Sequence, residues 1–329
     1  MKISIGTKTD VGCVREANED SLYIALPTLG EDSPQRYGLL LVADGMGGQV
    51  AGKEASETAI DIVKARFAEQ SKDQMSAEAI KEFIITSFHE ANQAVFERGK
   101  AKAVEMGTTL TAALIDGQQA YLGHVGDSRA YHLRGREIRQ VTEDHTLAED
   151  MVKKGKATRE EVRNSPMRSM LTRSIGTKEE VAIDQPMGIE LEKGDVLLLC
   201  TDGLTNLVKE EEILSAVHNT PDLQKACAKL VDMARKRGGH DNITVVAAEF
   251  EDLQRIKGLG IRVKTVSVKS VNAAKEKKRR RFLIASIGLL VAIFIFLAYL
   301  FVAHYVGLDT FYKKPMVEGQ ADVEGASSP

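Results

Sequence analysis

The sequence predicts an α+β fold in which two sheets of antiparallel strands carry covering helices. Three observations lead there. Nine short apolar or alternating runs recur between residues 1 and 250, many with turn residues beside them. The junctions at Gln118-Gln119 and Arg134-Gly135-Arg136 are so short that the runs they join must be antiparallel. Segments with three-to-four apolar spacing are inserted between groups of runs and do not alternate with them one for one, which argues against a parallel sheet.

The strand runs come in the order ISIGT, SLYIAL, YGLLLVA, TLTAALI, QAYLGHVG, RAYHLR, REIRQV, DVLLLC and ITVVAAEF. Helices are expected at Gly52 to Phe67, around Ile80, Phe83, Ile84, Phe88, Ala91 and Val95, and at Pro221 to Arg237. Thr158 and Glu161 have the spacing of a capping box opening a short helix. From Glu251 to Ala274 the chain is rich in Lys, Val and Ser, the composition of a linker, with one added strand expected around Ile261 to Val268. The four expected segments are a domain at 1–252, a linker with a basic run at 253–281, a membrane helix at 282–303 and a tail at 304–329.

The membrane helix rests on length and polarity. Phe282 to Ala303 is 22 residues without a charge, roughly 33 Å of helix at about 1.5 Å per residue, against a hydrocarbon core of about 30 Å. Five consecutive bases, Lys277 to Arg281, precede it, against Lys313 and Lys314 beyond. The positive-inside rule then keeps the large N-terminal part cytoplasmic, at the inner face of a cell membrane crossed once. The N-terminus, MKISIGTKTD, has no apolar stretch to act as a signal peptide.

Composition excludes several classes. At 329 residues, 43% apolar and 28% charged, the chain is neither disordered nor a disulfide-stapled miniprotein. The net charge is −3, but Lys275 to Arg281 carries +5 and the stretch after Ala303 −2, leaving −6 on residues 1–274. A mildly acidic body is not a nucleic-acid binder, which would show a basic face. Cys13, Cys200 and Cys227 form no CxxC pair, the usage of a reduced cytosolic domain. No cysteine has an arginine six positions later, so the cysteine-nucleophile phosphatase signature is absent.

Acids stand at the ends of the apolar runs. Asp44 follows LLLVA and precedes Gly45, Asp202 follows VLLLCT and precedes Gly203, Asp127 sits between two runs, Asp241 opens another, and Glu19-Asp20 precede SLYIAL. One aspartate there is a turn residue, but a repeated run-Asp-Gly pattern suggests rigidly placed carboxylates, with the glycine leaving a ligand or metal room at the backbone. If these ends converge, the carboxylates cannot all stay ionised without a cation. An all-oxygen set selects Mg2+ or Mn2+ over zinc. His124, His145 and His240 lack zinc spacing and read as structural. Arg15, three residues before Asn18-Glu19-Asp20, has the chemistry to hold phosphate oxygens bidentately. Together these point to metal-assisted phosphoryl hydrolysis.

Eight motifs then fall in order: REANED at 15–20, VADGMGG at 42–48, GTT at 107–109, VGDSRAY at 125–131, DHT at 144–146, LTRSIG at 171–176, CTDGL at 200–204 and DNIT at 241–244. Through them the chain resembles the metal-dependent, type 2C-like (PPM) serine/threonine protein phosphatases in their bacterial form. The resemblance implies an α-β-β-α β-sandwich, two antiparallel sheets flanked by helix pairs, with a binuclear Mn2+ or Mg2+ centre and a weaker third site. It implies that Asp44 bridges the two ions, that Asp202 and Asp241 complete the first, and that Gly45 offers its carbonyl to the second. Glu19 and Asp20 place or ligate waters there, Asp127 with Asp202 makes the third site, and Arg15 binds the substrate phosphate. The segment Asp144 to Ser169 corresponds to a variable flap that influences substrate choice. The implied reaction is attack of a metal-activated water on a phosphoserine or phosphothreonine, without a phospho-enzyme.

In one respect the chain departs from the pattern. Eukaryotic members have a histidine where this chain has Met46, and a thioether donates no proton, so no general acid is assigned. Expected partners are phosphoprotein substrates, membrane lipid through the helix and a Ser/Thr kinase pathway. Two other readings share the fold: an inactive membrane-bound scaffold, and a phosphatase dedicated to one partner-switch regulator. The other serine/threonine phosphatase superfamily is excluded, since GDxHG, GDxVDRG and GNHE are missing.

Overall fold

The computed structural model describes residues 2–27, 36–48, 50–70, 74–163 and 165–252. The expected linker strand at 261–268, the membrane helix at 282–303 and the tail lie outside the described residues. Among the described residues no helix is long and apolar enough to cross a membrane.

Among the described residues twelve strands and seven helices follow one another as β1 (Lys2–Asp10), β2 (Ser21–Ala25), β3 (Gly38–Ala43), β4 (Gly45–Met46), α1 (Ala51–Gln70), α2 (Ala77–Lys102), β5 (Gly107–Thr108), β6 (Leu110–Asp116), β7 (Gln119–Val125), β8 (Arg129–Arg134), β9 (Glu137–Gln140), α3 (Leu147–Lys153), α4 (Arg159–Arg163), β10 (Met187–Glu190), β11 (Val196–Cys200), α5 (Asp202–Thr205), α6 (Glu210–His218), α7 (Leu223–Lys236) and β12 (Ile243–Asp252). One five-stranded sheet has the order β1-β12-β11-β8-β9 and the other β10-β7-β6-β3-β2, with β4-β5 as a small separate pair. Every named pair is antiparallel.

The two-residue period of the strands separates the layers. On β3, Leu39, Leu41 and Ala43 share a core with α1 and α2, while Leu40 and Val42 face the space between the sheets. On β12, Val246, Ala248 and Phe250 enter that same inter-sheet core, while Ile243, Val245 and Ala247 pack with α6 and α7. The runs read as continuously apolar because both faces of each sheet are covered. A leucine fully buried in such layers contributes roughly 1.5–3 kcal/mol.

The helix stripes behave as their spacing predicts. Ile80, Phe83, Ile84, Phe88, Ala91 and Val95 are all buried, and Ser76 caps α2 by accepting from the Ala79 amide at 3.2 Å. Two boundaries differ from expectation. Asp222, accepting from the Gln224 amide at 2.9 Å, caps α7, so the helix begins after Pro221. The β6–β7 hairpin turns at Gly117-Gln118, with Asp116 opposite Gln119, because Gly117 at φ +60° supplies the left-handed residue the tight turn needs. Cys200 and Cys227 are buried hydrophobes, with burial raising each thiol to about 12.

Candidate active site

The acid-bearing strand ends converge on one cavity of about 560 Å3. Arg15, Glu19, Asp44, Gly45, Asp127, Asp202 and Asp241 all line it. Asp20 is brought to the same end of the sandwich but is buried and does not line the cavity.

Asp44 leaves β3 with its backbone clamped from both sides. Its carbonyl accepts from the Thr109 amide at 2.9 Å and from Thr108 Oγ1 at 2.8 Å, and its amide donates to Thr109 Oγ1 at 2.9 Å. Thr109 Oγ1 in turn shares a 2.7 Å hydrogen bond with Ser128 Oγ, which follows Asp127. The GTT run is therefore the part that fixes the first aspartate.

Gly45 lines the cavity, as its place after Asp44 suggests, whereas Gly203 does not, and both are also crowded where a side chain would start. A Cβ on Gly45 would stand 2.0 Å from the Gly52 carbonyl, one on Gly203 would stand 2.0 Å from the Asn242 carbonyl, and one on Gly52 would stand 2.2 Å from Glu19 Oε2. The room is taken by the protein's own chain, which packs backbone to backbone where several elements end together.

Asp202 opens α5 directly after β11, and Asn206 Nδ2 donates to its Oδ2 at 2.9 Å. The residue before it, Thr201, donates from Oγ1 to Asp20 Oδ2 at 2.9 Å while accepting from the Thr244 amide at 3.0 Å. Asp241 lies in the turn two residues before β12, where Arg15 Nη2 donates to its Oδ2 at 2.9 Å. Asn242 next to it ties the loop between β1 and β2 in place. Its Oδ1 accepts from the Glu19 amide at 2.8 Å, and its Nδ2 donates to the carbonyls of Val11 at 3.0 Å and Ala17 at 2.9 Å.

Asp127 is held by its surroundings. The His145 amide donates to the Gly126 carbonyl at 2.8 Å, and the Gly126 amide donates to His145 Nδ1 at 3.1 Å. His124 Nε2 also donates to that carbonyl, at 2.9 Å. Arg129 forks onto Asp144 with bonds of 2.9, 3.0 and 2.6 Å. The DHT run thus braces the Asp127 turn, and His124 and His145 are structural.

The electrostatics of this end call for a cation. Burial first, then the neighbouring acids, raise Asp44, Asp127 and Asp202 above the ordinary carboxylate range. Burial raises Asp20 to about 7 against the pull of Thr244 and Thr201. Asp20 Oδ1 and Asp202 Oδ1 are buried without a hydrogen-bond donor, which is costly unless something positive faces them. Among the described residues no group of three or more His, Cys, Asp or Glu side chains closes around a single point. The acids are spread along a cavity large enough for more than one hydrated ion, at ~30 Å3 per water. Unpartnered, acid-only oxygens of this kind fit hard divalent ions.

The flap consists of α3, α4 and a 3-10 turn at Pro166–Ser169. Among the described residues of the segment Asp144 to Ser169 only Ser169 lines the cavity, followed by Leu171, Thr172, Ser174, Thr177 and Lys178. Sequence reasoning passed over these, and over Thr201, Asn242 and Thr109. The LTRSIG, CTDGL, DNIT and GTT runs were the available signal.

A family model described as Protein phosphatase 2C matches residues 18–244. The serine/threonine phosphatase stp of Listeria monocytogenes is 32% identical over 250 residues, covering 75% of this chain and 96% of that protein. The crystal structure of the Mycobacterium tuberculosis serine/threonine phosphatase PstP/Ppp is similar with a TM-score of 0.67 at 34% identity, over 76% of this chain and 99% of that one. A catalytic domain of the serine/threonine protein phosphatase PstP, solved with two manganese ions, is similar with a TM-score of 0.63 at 33% identity, over 76% of this chain and 99% of that one.

Proposed function

The chain belongs to the protein phosphatase 2C family and is a metal-dependent phosphoprotein phosphatase, and we propose that it hydrolyses phosphoserine and phosphothreonine at the carboxylate cavity while tethered to the inner face of a membrane. The observation that carries the chemistry is the convergence of Asp44, Asp202, Asp241, Asp127 and Glu19 on one cavity that also contains Arg15.

In this reading Asp44, Asp202, Asp241 and the Gly45 carbonyl would hold two Mn2+ or Mg2+ ions, Glu19 and Asp20 would serve the second, and Asp127 with Asp202 would hold a weaker third. Bound there, the ions supply Lewis-acid charge and a water of lowered pKa. Arg15 orients the phosphoryl group through its guanidinium, which Asp241 already holds at the cavity wall. Thr201 and Asn242 fix Asp20 and Glu19 so that the acids do not have to reorganise during the reaction. Met46 lines the cavity and no histidine does among the described residues, so the leaving serine or threonine oxygen takes its proton from water or from another residue, and no general acid is assigned. The set of acids with Arg15 is complete, which favours an active enzyme over an inactive scaffold of the same fold.

The experiment is Mn2+-dependent hydrolysis of an aryl phosphate and a phosphothreonine peptide by the full chain in detergent. Asp202→Asn is expected to lower turnover by at least about 10^3-fold, more than the 10–100-fold typical of residues that only support a metal ligand. A folded, metal-binding protein that releases phosphate from neither substrate overturns the reading. The tether rests on the uncharged run Phe282 to Ala303 behind five bases. Full-length protein should sediment with membranes, and protein ending before Lys277 should not; full-length protein in the soluble fraction counts against the anchor.

A further inference from the structure

Asn92 is a polar residue on the buried stripe of α2, 2% exposed, beside the equally buried Ala91 and near Val95 one turn on. An amide in such a place costs stability unless its groups are bonded. All of its printed bonds go to one segment of chain: Nδ2 donates to the carbonyls of Lys178 at 3.0 Å and Glu179 at 2.9 Å, and Oδ1 accepts from the Gly176 amide at 2.7 Å. A single core side chain thus holds the backbone of a distant loop at three points.

The loop is also fixed to β5. The Thr108 amide donates to the Ile175 carbonyl at 2.9 Å, and the Ile175 amide to the Thr108 carbonyl at 2.8 Å. Ser174 Oγ shares a 2.7 Å hydrogen bond with Thr177 Oγ1. Gly176, at φ +87°, lies so close to α2 that a Cβ there would stand 2.1 Å from Val95 Cγ1, and a Cβ on Gly107 would stand 2.6 Å from Thr177 Cγ2. Residues 174–179 belong to no named helix or strand, yet they are wedged between α2 and β5. Thr108, their partner on β5, also donates to the Asp44 carbonyl, so this wall of the cavity and its floor share an anchor.

What the wedge presents to the cavity is Ser174, Thr177 and Lys178, and Lys178 and Arg15 are the two bases among the lining residues. Arg15 is already paired with Asp241, whereas Lys178 makes no ion pair among the described residues. We propose that Lys178 binds an anionic oxygen of the phosphoprotein substrate and that Asn92 is the positioning residue that presents it. The proposal deepens the phosphatase reading and rests on it. An ammonium on a flexible four-carbon stem is a point charge whose reach is set by its backbone. Fixing that backbone in the free protein leaves less freedom to lose when the anion arrives. Two groups of such a substrate offer the oxygen: the phosphoryl group itself, and an acidic side chain next to the phosphorylated residue. Either would meet the ammonium in a charge-assisted hydrogen bond.

The test uses the full chain in detergent with Mn2+ and three substrates: an aryl phosphate, a phosphothreonine peptide with glutamate on each side of the phosphothreonine, and the same peptide with glutamine there. Lys178→Met is expected to raise KM by about tenfold, the size of one charge-assisted hydrogen bond open to water, with Lys178→Arg restoring most of it and the Mn2+ concentration dependence unmoved. A rise on all three substrates assigns the phosphoryl group to Lys178, and a rise confined to the glutamate peptide assigns the acidic side chain. Lys178 is exposed, so its substitution removes no core packing. Asn92→Ala should raise KM on the same substrates, and combining it with Lys178→Met should add little to either alone. KM unchanged by Lys178→Met on every substrate, or a loss confined to kcat, overturns the proposal. Single effects that multiply in the double variant overturn the positioning role of Asn92. No turnover of any substrate by the unsubstituted chain strikes the phosphatase reading itself, and the proposal with it.

Discussion

The floor of the cavity and its mouth are built in opposite ways. On the floor, Asp20 is 3% exposed, and Asp44, Asp202 and Asp241 sit directly beyond strands or before them, with Thr109, Asn206 and Asn242 bonded to them or beside them. At the mouth, the flap elements α3 and α4 are seven and five residues long, and Ser169 at the end of the flap lines the cavity. Rigid strand ends suit a group whose geometry must not change, such as a pair of ions. Short, exposed elements suit a surface that can differ between substrates without disturbing the chemistry. The difference predicts that the buried acids and the exposed flap can be perturbed separately.

The sharpest way to separate them after the metal ligands is Thr201. Its hydroxyl is buried, donates to Asp20 and accepts from Thr244, yet it lines no part of the cavity. Thr201→Val keeps the shape and removes both bonds. Activity on every substrate, peptide or aryl phosphate, is expected to fall by about 10–100-fold with a weaker Mn2+ requirement curve. If only peptide turnover falls, the division between floor and mouth is wrong.

How much of this was readable from the sequence differs in the same way. The aspartates at strand ends were legible because alternation and turn residues are local signals, and LLLVA-Asp44 and VLLLCT-Asp202 announce a strand and its end within seven residues. The antiparallel sheets followed from the short junctions. Thr201 was not legible as the partner of Asp20, nor Asn242 as the anchor of Glu19. Those contacts join positions 181 and 223 residues apart, and only the convergence of β11, β12 and the β1–β2 loop creates them. A second role of the glycines was hidden for the same reason, since the atoms crowding Gly45 and Gly203 belong to Gly52 and Asn242.

The seam between the two regions is the His124–His145 pair, whose ring centroids are 4.9 Å apart. His124 is neutral: burial, then the His145 ring, lowers it to about 3. Its Nδ1 meets Thr111 Oγ1 at 2.8 Å while Nε2 donates to the Gly126 carbonyl. The unfolded chain takes up this proton near pH 6.5, and the folded chain does not until about pH 3. The stability from holding His124 neutral is therefore complete above pH 6.5 and is lost as pH falls toward 3, at up to about 1.4 kcal/mol per pH unit. His124→Gln should flatten the acid decline. Urea midpoints at pH 6.5, 5.5 and 4.5 check it, and parallel slopes for the two proteins would show that the seam does not carry the acid sensitivity.

The smallest effect is expected in the flap, away from the cavity lining. Thr158 and Glu161 cap α4 reciprocally: the Thr158 amide donates to Glu161 Oε2 at 2.7 Å and the Glu161 amide to Thr158 Oγ1 at 3.3 Å. Such a cap contributes about 0.5–2 kcal/mol to its helix. α4 is five residues long, with Val162 as its buried contact, so its opening is local and does not draw on the sandwich core. Thr158→Ala should speed amide exchange within α4 by about fivefold, the size of a 1 kcal/mol cap. It should leave the global urea midpoint within the equivalent of about 0.5 kcal/mol and aryl phosphate turnover unchanged. A global loss larger than the local one would mean that the flap and the sandwich unfold as one unit, which is the outcome that would most directly erase the distinction between floor and mouth.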